Sequence, residues 1–247
     1  MILINKIYLL VVLLVLIVIN SGSTQDLAVD HFYILVSKKA PEAVSLQQIG
    51  LNIDPDTSVH TGQGTASVSF LFYNFYLELI WIDNSEELGK ALPNLKQKFD
   101  ASKSGGSPFG IGLHRVNPDM NSLPFPTYSY FAEWMKPGTT IELAHIIHPN
   151  EPEIFVVPPY MAWNEQIKVA PQLLGRINHD LGLKNLSGIR IIGPGLPTIS
   201  DAITTLKDQN LVKFKSGDSH LVELIFDHGL NGKTVDVRPS LPLILRY

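Results

Sequence analysis

Two carboxylates and two imidazoles are the groups in this chain best suited to chemistry. Glu78 lies in Tyr76-Leu77-Glu78-Leu79-Ile80-Trp81-Ile82-Asp83, an apolar and aromatic run without Gly or Pro. Such a run predicts a strand, and Asp83, Asn84 and Ser85 close it. Alternation puts Tyr76, Glu78, Ile80 and Ile82 on one face and Leu77, Leu79 and Trp81 on the other. Both faces are apolar enough to be covered. A carboxylate among such neighbours is costly unless it is paired, coordinated or protonated. Glu78 therefore needs a metal ion, a His or Arg, or a proton.

The same phrase returns as Leu221-Val222-Glu223-Leu224-Ile225-Phe226-Asp227. Glu223 then aligns with Glu78, Leu224 with Leu79, Ile225 with Ile80 and Phe226 with Trp81. Two copies of one strand, each with a buried Glu, predict an internal duplication with a site between the halves. His31 and His60 are the imidazoles in suitable places. His31 shares a strand face with Tyr33 and Leu35. His60 opens the polar loop His60-Thr61-Gly62-Gln63-Gly64-Thr65, where it can be a base, a substitute ligand or a brace. Gly62 and Gly64 fit backbone turns, and no Lys-Ser/Thr follows to make a phosphate loop.

The elements that must position these groups can be read in order. Asp30 to Ser37 is a strand and Pro41 to Ile49 a short helix stopped by Gly50. Ala66 to Tyr73 and the Glu78 strand form a hairpin across Asn74-Phe75. A helix from Ser85 to about Lys98 carries Pro93, which kinks or splits it, and Pro108 to Val116 is a strand. Asn117 to Pro159 is Pro-rich and aperiodic, which predicts a loop packed over the core, and a helix is expected over Ile167 to Leu181. A second module begins at Leu186, with Thr198 or Ser200 capping a helix and Val212 to Lys215 a short strand before Glu223.

Composition sets limits. The chain has 247 residues, 45% of them hydrophobic, with a net charge of −4 and no Lys/Arg cluster, so nucleic acid is excluded as a partner. No cysteine is present, which removes disulfides, thiolate chemistry and sulfur-ligated zinc. Gly-x-Ser-x-Gly is absent as well, so no serine-hydrolase motif is found. In residues 1–25, Lys6 precedes the apolar run Ile7 to Ile19, and Asn20-Ser21-Gly22-Ser23 follows. That order predicts a cleaved secretory signal, hence a secreted or lumenal protein. A membrane is a partner only if residues 7–19 remain as a single-pass anchor.

Asp30-His31, the His60-x-Gly62-Gln63-Gly64-Thr65 loop, Tyr76-Leu77-Glu78-Leu79 and Arg238-Pro239-x-Leu241-Pro242 occur in an order that resembles the glyoxalase-like domain family of the vicinal oxygen chelate superfamily. The resemblance spans about residues 27–247. It implies an α+β fold in which tandem βαβββ modules form a cupped mixed sheet with helices outside. Module one would cover about 27–116, a Pro-rich connection and helix 117–185, and module two 186–247. It also implies a divalent metal held by His31, Glu78 and Glu223. Setting Asp30-His31 against Ser187-Gly188 leaves glycine where a fourth ligand is expected, with Arg190 two residues on.

Two functions follow. In one, Mn, Fe(II), Zn or Mg chelates adjacent oxygens of a small oxygenated substrate in a lyase, isomerase or dioxygenase step, without a nucleotide. His31, Glu78 and Glu223 are then ligands, Glu223 or His60 doubles as base, and Tyr33, Tyr76 and Arg190 contact substrate. In the other, Arg190 pairs with Glu78 or Glu223, and the cup is a metal-free binding pocket for a small molecule. A second copy of the chain is a candidate partner in either case.

Overall fold

A computed structural model describes residues 25–117, 119–196 and 200–247. The predicted leader or anchor, apart from Gln25, and Thr198 lie outside the described residues. No helix among the described residues is long and apolar enough to cross a membrane.

The chain folds as mixed α+β with a curled mixed sheet and few helices. The larger sheet has eight strands in the order β2-β3-β4-β1-β5-β8-β7-β6. At its centre β1 (Leu27–Leu35) runs parallel to β4 (Tyr76–Ile82) and antiparallel to β5 (Phe109–Arg115). Outside β4 lie β3 (Thr65–Leu71), its hairpin partner, and β2 (Ser58–His60). The hairpin agrees with the sequence reading. The predicted loop over 117–159 does not, because three short strands extend the sheet here: β6 (Thr127–Tyr130), β7 (Ile141–Ala144) and β8 (Glu153–Val156). Their four-residue lengths are too brief for alternation to stand out among the prolines.

The second sheet has the order β10-β9-β11-β13-β12. It contains β9 (Leu186–Gly193), β10 (Lys213–Ser216), β11 (Leu221–Phe226), β12 (Thr234–Asp236) and β13 (Leu243–Arg246). The two halves pair their strands differently. β1 lies parallel to the Glu78 strand, whereas β9 lies antiparallel to the Glu223 strand.

The helices are short. α1 (Ala43–Gln48) follows β1. The predicted Ser85–Lys98 helix is two helices, α2 (Ser85–Ala91) and α3 (Pro93–Ser102), split at Pro93, which occupies the first turn of α3. Asn84 Oδ1 caps α2 by accepting from Glu86 N and Glu87 N, both at 3.1 Å. The helix expected over 167–181 is instead α4 (Trp163–Val169), ended ahead of Pro171, which opens a 3₁₀ turn to Arg176. α5 (Asp201–Asp208) is capped by Ser200, whose hydroxyl accepts from Ile203 N at 3.3 Å.

One core joins both sheets. Phe32, Phe70, Leu77 and Leu79 from the first pack with Ile189, Ile191, Leu224 and Phe226 from the second. The Phe72 and Phe226 rings lie 4.5 Å apart. Each such Phe contributes about 1.5–3 kcal/mol by burial. On the opposite face of β1 and β4, Tyr33 and Ile80 pack with Leu88, Leu92, Leu95 and Phe99 from α2 and α3. The central strands are therefore covered on both sides, as their double-faced apolarity predicts.

The loop from His60 to Thr65 is pinned to α2. Gly64 O accepts from Asp83 N and Asn84 N at 3.0 Å, and Gly62 N donates to Glu87 Oε1 at 2.8 Å. Both glycines have positive φ, +79° at Gly62 and +76° at Gly64. A Cβ on Gly64 would overlap the Asn84 carbonyl oxygen and the Leu88 backbone nitrogen, whereas one on Gly62 meets nothing within 4 Å. Gly64→Ala should therefore cost about 3 kcal/mol or more, and Gly62→Ala only about 1 kcal/mol, the ordinary left-handed penalty. Chemical denaturation of the two variants tests this, and equal losses would refute the packing account.

Candidate functional site

Parallel pairing sets β1 beside β4 in a register that matches Tyr33 with Glu78 and His31 with Tyr76. The side chains on this face, His31 and Tyr33 from β1 and Tyr76, Glu78 and Ile80 from β4, line a hollow of about 110 Å³. His60 and Gln63 close one side, and Leu92, Leu95, Tyr130 and Trp134 form further wall. Two glycines of β5 make room: Gly112 pairs with His31 and Gly110 with Tyr33. A Cβ at Gly112 would stand 2.6 Å from His31 Nδ1 and 2.8 Å from Nε2, and one at Gly110 would run into the Tyr33 ring.

Asp30 sets the orientation of His31. Its Oδ1 lies 2.8 Å from His31 Nδ1, and its Oδ2 accepts from Trp163 N at 2.7 Å, with His114 Nδ1 at 3.3 Å. Burial alone would raise the Asp30 pKa, but His114, His31 and the Trp163 amide outweigh it and bring it down to about 2. The ionised carboxylate only accepts, so Nδ1 of His31 carries a proton and Nε2 is the nitrogen turned toward the hollow. That Nε2 faces Glu78 Oε2 at 4.0 Å. The ring stacks on Tyr76, with centroids 4.4 Å apart.

His60 approaches the same carboxylate from the loop. Its Nδ1 lies 2.8 Å from Thr65 Oγ1, which also accepts from Gln63 Nε2 at 3.0 Å. Its Nε2 lies 3.9 Å from Glu78 Oε1. Glu78 thus sits between two imidazoles, each held by its far nitrogen, at separations too long for hydrogen bonds.

A second polar group lines the hollow. Tyr33 donates to Glu153 Oε2 at 2.6 Å, and Glu153 is 4% exposed. Burial raises the Glu153 pKa against the pull of the Tyr33 hydroxyl and the Lys98 charge. Lys98, also buried, donates to the Glu151 carbonyl; burial lowers its pKa to about 8 despite Glu153 and Glu151. Tyr33 and Tyr76 are held as neutral phenols well above their usual range, by burial first and then by Glu153 at Tyr33 and by Asp30 and Glu78 at Tyr76.

Of the residues singled out in the sequence, His31, Tyr33, His60, Tyr76 and Glu78 meet here. Glu223 and Arg190 do not line this hollow. They pair across β9 and β11, where Arg190 Nη1 is 2.5 Å from Glu223 Oε2 and Arg246 Nη2 is 2.7 Å from Oε1. Here Glu223 accepts from two arginines and Arg190 is one arm of that clamp, a pairing that the metal-free alternative contains. Nothing in the aligned phrases distinguishes Glu78 from Glu223, because the difference lies in the neighbouring strands. His179 is buried, with Nε2 2.9 Å from Leu71 O and Nδ1 accepting from Asn52 N. Sequence reading also missed Asp30 as a positioning group, along with His114 and Glu153. The alternation Phe109-Gly110-Ile111-Gly112 carried a signal, since small residues on one face of a strand mark bulky neighbours.

The donor set can be tested for a divalent ion. Among the described residues no group of three or more His, Asp or Glu side chains converges as a metal centre as it stands, and the two rings face different oxygens of Glu78. Each nitrogen–oxygen separation of 3.9–4.0 Å is longer than that of two donors bound about 2.0–2.2 Å from one tetrahedral ion, so the side chains would have to close in around it. Two neutral imidazoles and a carboxylate are chemically suited to a divalent ion with open positions, after a modest turn of the side chains.

No family model matches the sequence, and no curated protein matches it. Among solved structures, a hypothetical protein from Staphylococcus aureus aligns at 11% identity and a TM-score of 0.54, covering 89% of this chain and 98% of that one. A xylose isomerase-like TIM barrel/4-hydroxyphenylpyruvate dioxygenase fusion protein aligns at 9% identity and a TM-score of 0.45, over 83% of this chain and 37% of that one. The first likeness is one of fold alone.

Two predictions follow from this geometry. Gly112→Ala should force the His31 ring off Asp30 at a cost of about 1–3 kcal/mol; NMR of the imidazole would read the change, and unaltered His31 resonances would refute it. The clamp gives a pH signature. The Arg246 hydrogen bond, acting against burial and helped by Arg190, holds the Glu223 pKa below its ordinary 4.5. Its stabilisation is therefore complete above that value and is lost as pH falls through the depressed pKa. Glu223→Gln should cost about 1.5–3 kcal/mol at pH 7, and the gap to wild type should shrink on acidification below pH 4.5. Denaturation curves across pH provide the test, and a gap that widens in acid would sink the assignment.

Proposed function

We propose that the hollow binds a small oxygenated molecule and transforms it with a divalent metal held by His31, His60 and Glu78, in a lyase, isomerase or dioxygenase-type step. The observation that carries this reading is the placing of Glu78 between two Nε2 atoms, with both Nδ1 atoms tied back. A bound ion would supply Lewis acidity to two adjacent oxygens of the substrate. The protein supplies the rest. Asp30 fixes the His31 tautomer, and Thr65 fixes the aim of His60. Leu92, Leu95, Ile141 and Leu143 exclude water from the far wall, and the volume limits the substrate to about the size of one small ring. His60 is the more exposed of the two rings, with 21% of its side chain accessible against 6% for His31. Membership of the glyoxalase-like, vicinal oxygen chelate group belongs to the same proposal, supported by the order of the motifs and the curled mixed sheet.

A second reading is a binding protein that uses the hollow without metal. It is favoured by the lack of a converged three-residue centre among the described residues. Elemental analysis after loading with Mn, Fe(II) or Zn separates the two. Near-stoichiometric metal in the wild type, reduced at least tenfold in both Glu78→Gln and His60→Ala but kept in Glu223→Gln, is the expected result. Wild-type protein that takes up no metal under any loading would overturn the enzyme reading.

A further inference from the structure

A larger groove, of about 540 Å³, shares no lining residue with the hollow. Arg115 and Lys136 bring cationic groups to its lining, and Val116 and Val169 bring apolar surface. These two valines are 53% and 82% exposed. Arg115 ends β5 and is half-buried, yet among the described residues its guanidinium has no ion-pair or hydrogen-bond partner. Lys136 Nζ lies 4.4 Å from the centre of the Tyr160 ring and likewise has no acidic partner among the described residues. The one carboxylate in the lining, Glu165, is already paired with Lys168 at 2.6 Å. The groove therefore carries two uncompensated cations beside exposed aliphatic surface.

We propose that this groove is a second binding site, for an amphiphilic anion with a phosphate or carboxylate head and an apolar tail. Arg115 takes the head, since a planar guanidinium with all five donors unengaged matches two oxygens of such a group. Lys136 adds charge, and Val116 and Val169 cover the first carbons of the tail. Scattered exposed valines are ordinary on a surface; here they stand in one groove with the unpaired cations, and the pairing of the two features selects an amphiphile over a simple ion. The site does not depend on the chemistry assigned to the hollow, although His114 links the two by standing 3.3 Å from Asp30 Oδ2.

Calorimetric titration of the protein with dodecyl phosphate, dodecanoate and inorganic phosphate, together with flotation on phosphatidylglycerol and phosphatidylcholine vesicles, tests the proposal. Dodecyl phosphate or dodecanoate should bind at least tenfold more tightly than inorganic phosphate. Arg115→Gln should weaken that binding at least tenfold, Arg115→Lys less, and the remote Lys207→Gln not at all. Binding confined to phosphatidylglycerol vesicles, with the same loss in Arg115→Gln, would support the site and identify its ligand as a membrane lipid head. Equal affinity for inorganic phosphate, no binding by any probe, or binding indifferent to Arg115→Gln would each overturn it. Melting curves of the Arg115 variants check that they fold, as expected for a side chain without protein partners.

Discussion

Asp30 is fully buried and ionised, and nitrogen atoms from three parts of the chain surround it: His31 beside it on β1, His114 on β5 and the Trp163 amide at the start of α4. A buried charge is tolerated only when its oxygens are satisfied, so these groups must be in place together. That requirement fixes the His31 ring, the start of α4 against the sheet and the approach of β5 to β1. The rest of the hollow is measured from His31. Tyr76 stacks on it, Gly112 leaves space for it, and Glu78 faces its free nitrogen.

The two Glu-bearing strands show how one local phrase gives two outcomes. Glu78 and Glu223 occupy equivalent places in nearly identical apolar runs, and both are largely buried. Glu223 is neutralised by two arginines, Arg190 directly across the sheet and Arg246 on the parallel strand β13. Glu78 has serine across one ladder and tyrosine across the other, Ser69 on β3 and Tyr33 on β1. Neither carries a positive charge, and the nearest nitrogen atoms are those of the two imidazoles at 3.9–4.0 Å. Glu223 is a finished structural interaction, whereas Glu78 has no arginine partner. That asymmetry, more than either acid alone, is why the proposed site is set in the first sheet.

The sequence made the central strands legible because they carry apolar residues on both faces, and the hairpin and the split at Pro93 followed from equally local rules. Five site residues were legible for the same reason: strand alternation puts His31 with Tyr33 and Tyr76 with Glu78, and His60 opens a glycine-bearing loop. What could not be read was non-local. Whether Glu223 meets a metal or an arginine depends on β9 running antiparallel to β11, and no feature of either strand sets that direction. Glu153 comes from a four-residue strand whose place beside β5 depends on parallel pairing across the Pro-rich segment. His114 went unnoticed because its contact, Asp30, gains importance only once β1 and β5 are adjacent.

The hollow also has a chemical direction. At one end lie two imidazoles and Glu78; at the other the Tyr33 hydroxyl holds Glu153, whose carboxyl also borders a neighbouring cavity lined by Lys98. Phe155, Leu95 and Leu143 supply apolar lining. The Glu153 pKa is raised while Tyr33 is locked as a neutral donor. That end therefore offers a fixed hydrogen-bonding rim and not a mobile charge. A ligand matched to this space needs oxygen atoms at the imidazole end and an apolar part. Burial, the largest influence on Glu153, makes a strongly charged group beside it costly.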